Sequence, residues 1–288
     1  MLKQRIITAA VLAPLAIAAI FFLSLQNFAA VLAVVLAIGA WEWGPLMGFD
    51  TKTRRIGFVS ALVLAIVGVW YLVPPETIWS SSGHANPWVI VVMSISTCWW
   101  LISAMMISKY PKHSNFWTTH RSIRGIFGLL TLVPTWLAFL TLRSNDYPID
   151  EYHGSYLILL LFALVWSADI GAYFTGKRFG KHKLMPNVSP GKTIEGFIGG
   201  MVCASVVAAA IALFFGSSAQ QLTKMIVLAV VVSTVSVIGD LTESMLKRQA
   251  GVKDSGRILP GHGGVLDRID SLTATAPIFA LCLILFTW

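Results

Sequence analysis

An all-α, polytopic membrane protein is the fold class that this sequence predicts, on three observations. Of its 288 residues, 56% are hydrophobic and only 12% are charged. The mean hydropathy is +0.76. The apolar residues fall into runs of bilayer length, roughly 20 residues each. Nine such runs are read, at about 6 to 25, 28 to 48, 56 to 73, 88 to 107, 124 to 142, 155 to 176, 194 to 216, 222 to 244 and 269 to 287. They leave no room for a large soluble domain.

The first run follows Lys3 and Arg5 and is longer than the roughly 7 to 15 residues of a secretory signal core, so it reads as a retained helix and not a cleaved leader. Runs two to five complete an N-terminal transmembrane scaffold, residues 1–150, that carries no catalytic motif. Trp41, Trp43, Trp70, Trp79 and Trp88 fall near its span ends, where indole rings favour the headgroup layer. Glu42 lies between two of them and reads first as a span-end residue, with a functional role as the lesser alternative. The linkers Pro74 to Pro87 and Arg143 to Gly154 are turn-rich, solvated connections. The last four runs form a second region, residues 151–288, with polar loops at 177–193 and 245–268. Gly196 and Gly200 permit close helix packing, but one GxxxG is weak support for a dimer interface. Cys98, Cys203 and Cys282 lie in apolar runs and read as packing residues.

Basic residues favour cytoplasmic loops. With a cytoplasmic N-terminus and nine spans, one side receives Lys3, Arg5, Lys52, Arg54, Arg55, Lys109, Lys112, Arg121, Arg124, Lys177, Arg178, Lys181, Lys183, Lys192, Lys247, Arg248, Lys253, Arg257 and Arg268. Those are 19 of the 21 basic residues, leaving Arg143 and Lys224 outside. An error of one span after residue 142 would put the two richest loops on the wrong side, so the distribution supports nine spans and an external C-terminus. The formal charge of +8 therefore lines one membrane face. Its natural partners there are anionic headgroups and nucleotides, not nucleic acid.

Chemistry concentrates in the segment Ser244 to Asp270, SMLKRQAGVKDSGRILPGHGGVLDRID. Cations bind phosphate, carboxylates bind hard divalent metals through oxygen, and glycines let backbone approach a ligand. A carboxylate at the centre of a span costs about 2.5 to 3.5 kcal/mol on the insertion scale, so intramembrane acids are read as functional. Asp169 lies about seven residues before the cytoplasmic end of its run, roughly 10 Å deep at 1.5 Å per residue. Asp240, Glu243, Ser244 and Lys247 share one helical stripe, and Asp267 and Asp270 stand where the last run begins. Three runs thus bring carboxylates to similar depth. Pairing of each acid with a lysine for packing is the plainer alternative; for the set, a metal site is the stronger reading. An oxygen-only donor set favours Mg²⁺ over zinc.

The loop KRFGKHKLMPNVSPGKTIEG contains SPGKT, which looks like the end of a P-loop. Pro186 replaces the first glycine of that motif, and no strand is read ahead of it, so a Walker-type ATPase is rejected. Ser189, Lys192 and Thr193 nevertheless precede a helix N-terminus, where free amides and the helix dipole favour phosphate. His262, in PGHGG, could serve a phosphate or only a turn.

The segment resembles the signature of the phosphatidate cytidylyltransferases, also called CDP-diacylglycerol synthases. Ser244, Lys247, Arg248, Lys253, Asp254, His262, Gly263, Gly264, Asp267, Arg268 and Asp270 fill its fixed positions. SPGKTIEG and GDLTES are similar to companion motifs of the same family, so the resemblance covers about residues 165 to 275. It implies transfer of a cytidylyl group from CTP to phosphatidic acid, in a bacterial cytoplasmic (inner) membrane with the site facing the cytoplasm, and it suggests a homodimer. Mg²⁺, with or without a second cation, is the expected cofactor. Asp240 and Asp267 would be metal ligands, with Asp169 and Asp270 as further ligands or supports. Lys192, Lys247, Arg248 and Lys253 would hold triphosphate or lipid phosphate, Lys247 within the catalytic set. Ser189, Thr193, Ser244, His262 and Arg268 complete the expected substrate-binding group. The rivals are another membrane lipid enzyme, such as a CTP-dependent lipid kinase, and an ion transporter with intramembrane acids. Clustering of the acids near one face speaks against transport.

Overall fold

The computed structural model describes residues 2–147 and 149–286, without side chains at positions 2, 3, 5 and 6. The side chains of Lys3 and Arg5, and Thr287 at the end of the ninth predicted span, lie outside the described residues. Among the described residues ten α-helices form: α1 Leu2–Phe22, α2 Leu25–Leu46, α3 Lys52–Leu72, α4 Pro87–Lys109, α5 Asn115–Thr119, α6 Arg121–Arg143, α7 His153–Phe179, α8 Ile194–Phe214, α9 Ala219–Gln249 and α10 Leu266–Phe286. The chain is an all-α multi-pass membrane protein.

Among the described residues, eight of these helices, α2 to α4 and α6 to α10, are long and apolar enough to cross a bilayer. The ninth, α1, has a shorter described apolar stretch, Ile7–Phe22, yet it runs the length of the bundle. At one end Thr8 Oγ1 donates to the Pro260 carbonyl at 3.0 Å. Near the other, the Ile20 carbonyl accepts from Ser155 Oγ at 2.9 Å, and Phe21 packs on Tyr152 and Tyr156 at the start of α7.

Helix ends follow local chemistry. Ser24, Asn86, Thr193 and Ser218 each cap the helix that follows by accepting a backbone amide, and Ser218 forms a full capping box with Gln221. The helix α9 extends five residues past the predicted end at 244. Glu243, Met245, Leu246, Lys247 and Gln249 are good helix formers, so the helix stops only where Gly251 takes φ of 70°. At 31 residues it is about 46 Å long, and its last turns lift Ser244, Lys247 and Arg248 on a rigid rod, not a loop.

The expectation of no strand in the 177–193 loop is corrected. Lys183–Met185 (β1) pairs antiparallel with Ser189–Thr193 (β2), joining Lys183 to Thr193 and Met185 to Ser189. SPGKT is therefore itself a strand that runs into α8. Val188 at the turn is 1% exposed and anchors the hairpin among Trp117, Leu241 and Met245. Arg248 Nε fixes the same turn by donating to the Val188 carbonyl at 3.3 Å.

The Gly196–Gly200 motif is used within the chain. A Cβ added at Gly200 would stand 2.7 Å from the Ala168 carbonyl, and one at Gly196 would stand 3.0 Å from that of Ala172. The two backbones of α7 and α8 therefore meet with no side chain between them. The helix α10 packs on α2, α4 and α6 as well as on α7 and α9, and one continuous apolar core takes residues from both halves of the chain.

Candidate active site

A cavity of about 400 Å³ opens between α7, α8 and α9, beneath the hairpin. Its polar lining includes Asp169 and Lys177 from α7, Lys192 and Thr193 from β2, and Ser233 and Asp240 from α9; Tyr173, Phe197 and Met201 supply mostly apolar wall. Small residues make the space. Ala168, Ala172, Gly176, Gly196 and Gly200 line the α7–α8 seam with almost no bulk.

Across the cavity, Lys192 Nζ lies 2.7 Å from Asp240 Oδ2, and Ser244 Oγ donates to Asp240 Oδ1 at 3.1 Å. Asp169 is close enough to feel the charges of both Lys192 and Asp240, and Asp270 feels those of Asp240, Lys192 and Lys247. Acids of α7 and α10 are therefore each within electrostatic range of Asp240 on α9.

A second, more buried set lies about two turns further along α9. Lys247 Nζ is 2.7 Å from Asp267 Oδ1 and 3.1 Å from Glu243 Oε1, with all three side chains at most 12% exposed. Asp267 is held further: Oδ2 accepts the Gly264 amide at 2.8 Å and the Ser255 amide at 3.0 Å. The acidic side chain begins α10, so its carboxylate also sits favourably at a helix N-terminus.

The plainer alternative, acids paired with lysines, thus holds for Asp240 and Asp267. It does not exhaust the charge. Asp169, Asp240, Glu243, Asp267 and Asp270 stand against Lys192 and Lys247, so carboxylates outnumber the ammonium groups that touch them. Buried anionic excess is costly unless a cation or a bound proton compensates it.

Among the described residues, no three His, Cys, Asp or Glu side chains converge as a ready-made ion cage. Mg²⁺ needs none, because it keeps several waters and is bound through one or two carboxylates plus substrate phosphates. Asp169 and Asp240, lining a cavity roomy enough for water and phosphate, fit that demand. Asp240 accepts one ammonium and one hydroxyl, whereas Asp267 accepts one ammonium and two backbone amides and is the more heavily engaged of the two.

The other expected residues divide. Thr193 lines the cavity, but its hydroxyl caps α8 by accepting the Gly196 amide at 3.1 Å. Ser189 is partly buried in β2, and Arg248 is exposed above the hairpin. Lys253 and Arg268 are exposed and form no ion pair among the described residues. His262 occupies the turn in which Leu259 and Gly263 pair, with Nδ1 buried and without a hydrogen-bond partner. His182 is tied to Glu195 at 2.6 Å, and Glu195 also accepts the amides of Lys181 and His182. That carboxylate fastens the start of the hairpin loop to α8.

Sequence reasoning gave Glu42 too little weight. Its Oε2 accepts the Leu266 amide at 2.8 Å, which puts an α2 carboxylate beside the signature loop. The signal available was its position, an acid in a span between two tryptophans.

Comparison with known proteins covers the same ground from outside. Residues 3–286 match the model of a cytidylyltransferase family. A phosphatidate cytidylyltransferase of Haemophilus influenzae is 40% identical over 284 residues, spanning 97% of this chain and 98% of that protein. One from Pseudomonas aeruginosa is 41% identical over 288 residues, 100% and 99% of the two chains. One from Staphylococcus aureus is 36% identical over 232 residues, 80% and 82%.

Proposed function

The chain belongs to the cytidylyltransferase family, and on that premise we propose that it joins phosphatidic acid to the cytidylyl group of CTP, giving CDP-diacylglycerol and pyrophosphate. The observation that carries this reading is the cavity lined by Asp169, Lys192 and Asp240, whose Asp240 carboxylate is hydrogen-bonded by Ser244, the first residue of the signature segment. Its apolar wall of Tyr173, Phe197 and Met201 suits a lipid that arrives sideways, and its polar mouth suits a nucleotide that arrives from water.

In the proposed reaction a phosphate oxygen of phosphatidic acid attacks the α-phosphorus of CTP. A new P–O bond forms there as the bond from that phosphorus to the α,β-bridging oxygen breaks, and the electron pair leaves with pyrophosphate. A phosphate monoester, with a second pKa of about 6, is already mostly ionised at neutral pH, so no strong base is required. What the chain must supply is alignment and charge neutralisation.

Lys192 stands where it can leave Asp240 for a phosphate oxygen, being half-exposed and on a hairpin edge. Asp240 and Asp169 would hold Mg²⁺, with Asp270 behind them; bound there, the ion would offset charge on the phosphates. Lys247 offsets part of the charge of Asp267 and Glu243, which lowers the repulsion that an incoming phosphate would meet. Ser244 orients Asp240. Arg248, Lys253 and Arg268 present positive charge at the rim, where the incoming nucleotide is drawn in.

Localisation follows from the same premise. Basic loops on one face, together with bacterial relatives, support a location in a bacterial inner membrane with the cavity mouth toward the cytoplasm. The experiment is conversion of radiolabelled CTP by detergent-purified protein, with phosphatidic acid and Mg²⁺ present or singly omitted. A labelled lipid that requires every component supports the reading; no labelled lipid from folded protein rejects it.

A further inference from the structure

Glu42 is a carboxylate, 2% exposed, that reaches the catalytic half from α2. Its Oε2 takes the amide of Leu266, the first residue of α10, at 2.8 Å. The signature loop closes tightly around it. A Cβ at Gly256 would collide with Glu42 Oε1, and one at Gly264 would press on both Glu42 Oε2 and Ser255 Oγ, so glycine at these two positions is what lets the backbone come so near. No lysine, arginine or histidine pairs with Glu42 among the described residues. Among the described residues only its Oε2 is hydrogen-bonded, to the loop's end at Leu266, while Oε1 is buried beside Gly256 with no hydrogen-bond partner.

The opposite side of the same loop faces the site. Ser255 and Gly264 turn their amides to Asp267 at 3.0 and 2.8 Å. Gly264 is thus enclosed between the two carboxylates, and the Leu266 amide ties the first turn of the Asp267 helix to Glu42. Asp267 in turn holds the Lys247 ammonium at 2.7 Å.

We propose that Glu42 is a positioning residue, which fixes segment 255–266 from the side away from the cavity and so sets Asp267 and Lys247 where they work. Its effect on turnover rests on the cytidylyl-transfer reading; the grip on the loop does not. A contact of this kind also gives the motif-free half a role in the site, since α2 supplies the wall against which the loop is pressed.

Three substitutions separate reach from charge. Glu42→Gln keeps the length and one acceptor oxygen. Glu42→Asp keeps the charge but draws the oxygens back by one methylene. Glu42→Ala removes both. Turnover of CTP with phosphatidic acid is measured beside amide hydrogen exchange of peptides covering 255–266, with α7–α8 peptides as the control for folding. Glu42→Gln is expected within about threefold of the parent, while Glu42→Asp and Glu42→Ala lose on the order of tenfold or more, as misplacement of reacting groups does. The two damaged variants lose protection in 255–266 and keep it in α7–α8. Full protection of 255–266 in Glu42→Asp and Glu42→Ala overturns the proposal, and so does a Glu42→Gln protein as impaired as Glu42→Ala. Should the parent protein make no CDP-diacylglycerol, the functional reading fails, and the exchange pattern alone still decides whether Glu42 holds the loop.

Discussion

Lys192 and Asp240 meet at 2.7 Å across the junction between the hairpin and α9. Their side chains are 27% and 35% exposed, so solvent screens the pair and its worth to folding is small, of the order of 0 to 1 kcal/mol. What the contact does is hold a cation and an anion, each suited to a triphosphate site, at the same point of the cavity.

That arrangement separates a brace from a working pair. Lys192→Met and Asp240→Asn should each leave yield and melting temperature near the parent's while turnover falls by about 10²- to 10³-fold, the usual cost of removing a group that meets developing phosphate charge. The reversed pair, Lys192→Asp with Asp240→Lys, restores the attraction but exchanges the positions of the charges. It should fold and stay inactive. Recovery of turnover in the reversed pair, measured with labelled CTP, would show that the contact merely staples the hairpin.

Asp267 should behave differently. It is 5% exposed and accepts Lys247 and two backbone amides, so Asp267→Asn leaves the buried Lys247 with only Glu243. Breaking such a pair by removing one partner costs about 3 to 5 kcal/mol. Loss of activity in Asp267→Asn should therefore come with a lower melting temperature in detergent, unlike Asp240→Asn. An unchanged melting curve with activity gone would return Asp267 to the role of metal ligand that its sequence position suggested.

These two acids show how much of the site the sequence could display. Periodicity alone placed Asp240, Glu243, Ser244 and Lys247 on one face of a helix, and the structure joins Ser244 to Asp240 and Lys247 to Glu243. Which lysine meets which acid was not legible, because Lys192 reaches Asp240 from a separate element and Lys247 passes over Asp240 to Asp267. The hairpin was hidden by its brevity: three and five residues, interrupted by prolines, give no strand period to detect. Glu42 was hidden by distance, its amide donor being 224 residues away in sequence. The Gly196–Gly200 motif was visible but its partner was not, since small-residue spacing announces a close approach without saying what approaches.

The α7–α8 contact can be tested through that motif. Gly200→Leu puts bulk where even a Cβ would lie 2.7 Å from the Ala168 carbonyl, so α8 must move outward and carry β2 with it. Melting temperature and turnover should both fall. Gly57, in α3, has nothing within 4 Å of an added Cβ; Gly57→Ala should be neutral or stabilising by up to about 1 kcal/mol through helix propensity. Equal melting temperatures for the two variants would remove the packing argument.

The orientation rests on the basic residues and on the alternation of helices, and it has a direct check. Cys98, Cys203 and Cys282 are the free thiols, and their replacement by alanine gives a background for single reporters. Asn145→Cys, in the linker between α6 and α7, should react with a membrane-impermeant maleimide in intact cells. Lys253→Cys, in the signature loop, should react only after the membrane is opened. The Thr8–Pro260 contact puts the start of α1 at the level of that loop, so Gln4→Cys should follow Lys253→Cys. Should Gln4→Cys label in intact cells while Lys253→Cys stays protected, α1 would not cross the bilayer, its Thr8–Pro260 contact would not be made there, and the spans would number eight.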